Sequence, residues 1–86
     1  MPPVSPKKAG LVVYPNPTSG QLSVRAISSG KLSFFDLQGR QIAAYNIATG
    51  ENIVQLPDSL SAGIYTGRFL STDGKESDIV RIIYQP

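Results

Sequence analysis

The sequence predicts an all-β fold, an antiparallel β-sandwich of about seven short strands, and three observations lead there. Runs rich in Val, Ile, Leu, Phe and Tyr recur with turn residues between them about every 8 to 12 positions. Several of these runs alternate apolar with polar residues, the period of a strand that buries one face. No segment sustains the three- and four-residue apolar spacing of a helix, and only 57–62 has the composition of a short helical turn.

The first ten residues carry three prolines, one serine and two lysines, so 1–10 reads as a semi-rigid tether. The folded part is 11–86. Its first run, Leu11 to Tyr14, stops at Pro15-Asn16-Pro17-Thr18-Ser19-Gly20, because two prolines remove ladder donors and restrict φ. Gln21 to Ile27 follows, with Leu22, Val24 and Ala26 on one face and Ser23 and Arg25 on the other. Lys31 to Leu37 and Arg40 to Ile47 form a hairpin about the turn Asp36-Leu37-Gln38-Gly39-Arg40. Glu51 to Leu56 ends at Pro57. Ile64 to Ser71 and Glu76 to Gln85 form a second hairpin, since the Asp73-Gly74 pair supplies the positive φ of a tight turn.

Composition excludes much chemistry. The chain has no cysteine and no histidine, so it can build neither a disulfide nor the usual zinc, Ser-His or Cys-His arrangements. Gly30-Lys31 and Gly74-Lys75 lack the remaining residues of a phosphate loop. No cofactor is expected, and no enzymatic activity. Eight basic residues face six acidic ones; without Lys7 and Lys8 of the tether the counts are six and six, spread singly, which argues against nucleic acid as a partner. No apolar run approaches the roughly 20 residues of a membrane span, so no membrane insertion is expected. The N-terminus does not read as a secretory signal, and for an exported protein that signal lies elsewhere.

Each motif has a physical reading. Pro15-Asn16-Pro17 presets a rigid loop that Asn16 can close through its side chain. Proline in the middle of Asn16-Pro17-Thr18 disqualifies it as a glycosylation acceptor. Asp36 offers acceptors to the amides of its turn, Gly39 supplies conformational freedom, and Arg40 can reach back to the carboxylate. Leu60, Gly63 and Tyr65 match the corner of immunoglobulin-like sandwiches, where a tyrosine hydroxyl bonds upstream backbone. In the final strand Val80, Ile82 and Tyr84 face the core, which turns Ile79, Arg81 and Ile83 outward as a candidate recognition triplet.

Three of these segments, in this order, resemble the C-terminal sorting domain of proteins exported by the type IX secretion system of Bacteroidetes. They are Tyr14-Pro15-Asn16-Pro17 with Gly20, Asp36 with Gly39 and Arg40, and Leu60 with Gly63 and Tyr65. The closing strand departs from the family pattern, with Arg81 in the basic slot and Gln85-Pro86 at the end. The resemblance implies a signal that sends an N-terminal cargo domain of the same chain through the periplasm and across the outer membrane. Its partners would be the translocation machinery and a sortase-like peptidase that removes the domain as cargo is secreted or fixed to the cell surface. A weak dimer of the domain remains open. The rival expectation is an accessory immunoglobulin-like spacer or carbohydrate-binding module, which requires Tyr14, Tyr45 and Tyr84 as one exposed aromatic platform.

Overall fold

Alternation along each strand decides which side chains meet in the core. The structure, a computed structural model, describes residues 10–86 and the backbone of Lys7–Lys8. Its strands are β1 (Lys7–Lys8), β2 (Val12–Tyr14), β3 (Gln21–Ala26), β4 (Gly30–Phe35), β5 (Gln41–Ile47), β6 (Gly50–Gln55), β7 (Gly63–Ser71) and β8 (Glu76–Tyr84). Leu22, Val24 and Ala26 of β3, Leu32 and Phe34 of β4, Phe69 of β7, and Ile82 and Tyr84 of β8 are buried, while their odd-numbered or even-numbered neighbours face out. Each large side chain so buried contributes roughly 1.5–3 kcal/mol.

Two sheets form the sandwich, one of five strands in the order β1-β8-β7-β4-β5 and one of three in the order β2-β3-β6. Every pairing is antiparallel except that of β1, whose Lys7 and Lys8 run parallel beside Glu76 and Ser77. Both expected hairpins are present, β4 with β5 and β7 with β8. Pairing of β4 with β7 joins them into one sheet. Strand limits agree with the sequence expectation to within one or two residues. Of the tether, residues 1–6 and 9 lie outside the described residues.

Where the chain turns, residue chemistry explains the geometry. Gly39 (φ 83°) and Gly74 (φ 74°) occupy the left-handed region that glycine enters without steric cost. The segment 57–62 is a single turn closed by Leu60 N–H to the Pro57 carbonyl at 3.4 Å, not a helix. Leu60 then folds back against the core.

Candidate functional site

The Pro15–Pro17 loop does more than deliver the chain into β3. The Asn16 side-chain amide lies against the outer edge of β8, where Nδ2 donates to the Arg81 carbonyl at 3.0 Å and Oδ1 accepts from the Ile83 amide at 2.9 Å. Thr18 continues the contact, with its amide donating to the Ile83 carbonyl and its carbonyl accepting from the Gln85 amide, both at 2.8 Å. Its hydroxyl is buried and fully used, donating to the Gln21 carbonyl and accepting from the Gly20 amide. Flanking prolines keep Asn16 from continuing as ordinary strand, and the side chain supplies the strand-like donor and acceptor instead. Sequence reasoning found the rigid loop and missed its partner, which lies 65 residues and more along the chain.

The Asp36 carboxylate organises its turn as the residue types suggest. Oδ1 accepts from the amides of Gln38 and Arg40 at 2.9 Å, and Oδ2 accepts from Arg40 Nε at 3.0 Å. The Arg40 amide first, and then its guanidinium and the Gln38 amide, hold the Asp36 carboxyl below the usual 3.8. Tyr65 makes the expected corner, donating to the Ser61 carbonyl at 2.6 Å.

These separate motifs converge at one end of the sandwich. The Asp36–Arg40 turn and the Ser61–Tyr65 corner line one shallow concavity of about 270 Å³. Gly63 pairs with Tyr84, Thr18 bridges to Tyr84, and the Tyr65 and Tyr84 rings meet edge to face at 6.5 Å. Tyr84 is the point where the Pro15–Pro17 loop and the corner join, and the concavity brings the Asp36–Arg40 turn to that corner.

Ile79, Arg81 and Ile83 stand outward on β8 as their spacing requires, with Ile79 67% and Ile83 39% exposed. The β8 backbone is less available. At Arg81, Ile83 and Gln85 its outward groups are occupied by Asn16 and Thr18, and Leu11 N–H donates to Asp78 Oδ2 further along. At Arg81 and Ile83 the side chains are therefore more open to solvent than the strand edge. The tyrosine platform of the rival expectation does not form: Tyr84 is buried, Tyr45 packs edge-on to Phe34 and donates to the Gln55 carbonyl, and Tyr14 lies on the other sheet beside Glu51. The Glu51 carboxylate accepts a hydrogen bond from the Tyr14 hydroxyl and raises its pKa.

With that geometry established, comparison with known proteins is decisive on one point. A family model described as the secretion system C-terminal sorting domain matches residues 12–85. The chain belongs to the type IX secretion C-terminal sorting domain family. The matched span runs from β2 to the end of β8 and takes in all three motifs. Among solved structures, the sorting domain is similar to part of PorZ, an essential bacterial surface component of the type-IX secretion system of Porphyromonas gingivalis. The TM-score is 0.74 at 19% identity, over 90% of this chain and 12% of PorZ. At that identity the likeness shows a shared fold, and the sorting domain spans only about an eighth of the longer protein. No curated protein matches the chain. Domains of this family act as sorting signals for the secretion system, directed toward the cell surface or beyond, and are in general not catalysts.

Proposed function

We propose that this sorting domain directs a cargo protein, joined to its N-terminal side, across the outer membrane through the type IX machinery, and that a sortase-like peptidase then removes it. The observation that carries this reading is the family match over 12–85, covering β2 to β8 and all three motifs. The domain acts by being recognised and performs no catalysis. Tyr14, Pro15, Asn16, Pro17 and Gly20 set the loop that braces β8; Asp36, Gly39 and Arg40 build one hairpin turn; Leu60, Gly63 and Tyr65 build the corner. These eleven residues position the outward side chains Ile79, Arg81 and Ile83, which the machinery reads. Ordered backbone at the edge and exposed apolar side chains beside a cation support that division, since such patches on a small domain mark partner surfaces.

Export of a reporter tests the proposal. A fluorescent protein with its own signal peptide, fused ahead of residues 1–86 in a host with this secretion system, is expected at the cell surface or in the medium. Retention in the periplasm despite a folded domain would overturn it. The variant with Ile79, Arg81 and Ile83 all replaced by serine is expected to stay in the periplasm while its domain remains folded by circular dichroism; normal export of that variant would remove the triplet from the site.

A further inference from the structure

The outward face of the five-stranded sheet has an unbalanced charge. Lys31 on β4, Arg68 on β7 and Arg81 on β8 all point away from the core and are exposed, and no Asp or Glu takes an outward position on β4, β5, β7 or β8. Register makes them neighbours. Arg68 lies beside Ser33 and Ile79, the row above holds Lys31 and Leu70, and the row below holds Phe35, Thr66 and Arg81.

The carboxylates of the chain are committed elsewhere. Asp36 pairs with Arg40, the one ion pair among the described residues. Asp73 accepts from Ser71 and Lys75 inside its turn, Glu51 serves Tyr14 on the opposite sheet, and Glu76 accepts from Ser28. Asp78 sits at the rim of this face and is turned to the Leu11 amide, while Asp58 belongs to the 57–62 turn. Residues 1–9 contain no Asp or Glu that could cover the cations. Three of the six bases of a neutral body are thus gathered, unpaired, on one surface.

Apolar groups lie between those cations. Leu70 is 52% and Ile79 67% exposed, and the Phe35 ring lies under the Arg68 guanidinium at 6.0 Å. They line a groove of about 570 Å³ that runs from Lys31 across Arg68 to Ile79. Each of three successive rows of the sheet holds one cation and one apolar side chain, Lys31 with Leu70, Arg68 with Ile79, and Arg81 with Phe35. A bilayer separates its anions from its acyl chains by depth and cannot meet both at one height. A protein surface can, by alternating carboxylates with apolar side chains.

We propose that this face docks an acidic protein segment in which carboxylates alternate with apolar residues. The proposal rests on the reading of Ile79, Arg81 and Ile83 as a recognition surface, and extends that surface to Lys31, Phe35 and Arg68. Arg68 is the centre of the site, since it touches both the Phe35 ring and the row of Ile79.

Binding by the 15N-labelled 86-residue chain tests it without any export system. The probes are a short peptide alternating glutamate with leucine and serine, its glutamine counterpart, and vesicles of phosphatidylglycerol with phosphatidylcholine. The glutamate peptide is expected to shift the amide resonances of Ser33, Arg68, Ile79 and Arg81, and to bind about tenfold or more tightly than the glutamine peptide. The double variant Arg68→Glu with Arg81→Glu, its unfolding midpoint unchanged, is expected to lose that binding and to gain binding of a lysine-containing counterpart. Absence of shifts on this face, shifts indifferent to the charge reversal, or binding to vesicles alone would each overturn the proposal. A chain that binds the acidic peptide yet fails to export a reporter overturns the sorting reading only, and one that exports but ignores the peptide overturns this one only.

Discussion

Asn16 holds Ile83 as an adjacent strand would, accepting its amide at 2.9 Å while donating to the carbonyl two residues earlier at 3.0 Å. One side chain thereby replaces a stretch of paired backbone and seals the edge of the last strand. An open edge there would be a template for pairing with another chain. Asn16→Ala removes both bonds and is expected to cost about 1–2 kcal/mol. Urea unfolding with an unchanged slope, together with faster hydrogen exchange at the Ile83 amide, is the check; an unaltered Ile83 amide would show that the loop does not hold the edge. Asn16→Asp keeps the acceptor, loses the donor, and is expected to fall between.

Tyr65→Phe deletes the hydroxyl that bonds the Ser61 carbonyl at 2.6 Å and leaves the ring in place. A loss of about 1–2 kcal/mol is expected, because the bond is partly buried and ties the corner to β7. Tyr84→Phe serves as the comparison. Its hydroxyl makes no intramolecular hydrogen bond among the described residues, so a smaller loss is expected. Equal losses in the two variants would show that the bond to the Ser61 carbonyl adds nothing to stability.

Gly30 and Gly67 are both needed small, for different reasons. A Cβ at Gly30 would stand 2.3 Å from the Leu70 carbonyl oxygen and 2.6 Å from the Phe69 ring, whereas at Gly67 it would meet the side chains of Val80 and Phe34 at 2.8 and 2.9 Å. Backbone in a paired strand cannot yield as side chains can. Gly30→Ala is therefore expected to cost about 3 kcal/mol or more and Gly67→Ala about 1–3 kcal/mol. Midpoints of thermal unfolding in that order are the test; the reverse order would sink the argument.

Acid is expected to weaken the fold through its two hairpin turns. The Arg40 amide and guanidinium lower the Asp36 carboxyl, and the Ser71 hydroxyl, followed by the Lys75 amide, lowers that of Asp73. A carboxyl depressed in the folded state contributes stability that is present above its unfolded value, here 3.8, and that is lost as pH falls through the lower folded value. Stability is thus expected to decline below about pH 4. Asp36→Asn and Asp73→Asn should each flatten that decline when denaturant midpoints are followed with pH, and an undiminished slope in the double variant would exclude these turns as its source.

Residue patterns carry the strands because burial of one face is a local, period-two property. Leu22-Val24-Ala26 announces which side of β3 is inside, and Asp73-Gly74 announces a tight turn, without knowledge of anything distant. The Tyr65 corner was legible for the same reason, since its acceptor lies only four residues upstream. Asn16 was not. Its polarity and its prolines signal a specific loop, but neither names β8 as the strand to be braced. Lys31, Phe35 and Arg68 escaped in the same way: local pattern says nothing of β4 and β7 sharing a face.

By itself, then, the sequence determined the strands, the two hairpins, the inward and outward sides of β3 and β8, and the family. Only the tertiary structure decided that β4 pairs with β7, that the Asn16 loop closes the edge of β8, and that three cations gather on one surface. The physical reason is one of range. Alternation, turn chemistry and corner bonds act between residues a few positions apart, whereas strand order is chosen by the burial of the whole core at once. Side chains such as Lys31 and Arg68, 37 residues apart in sequence, become neighbours only through that choice.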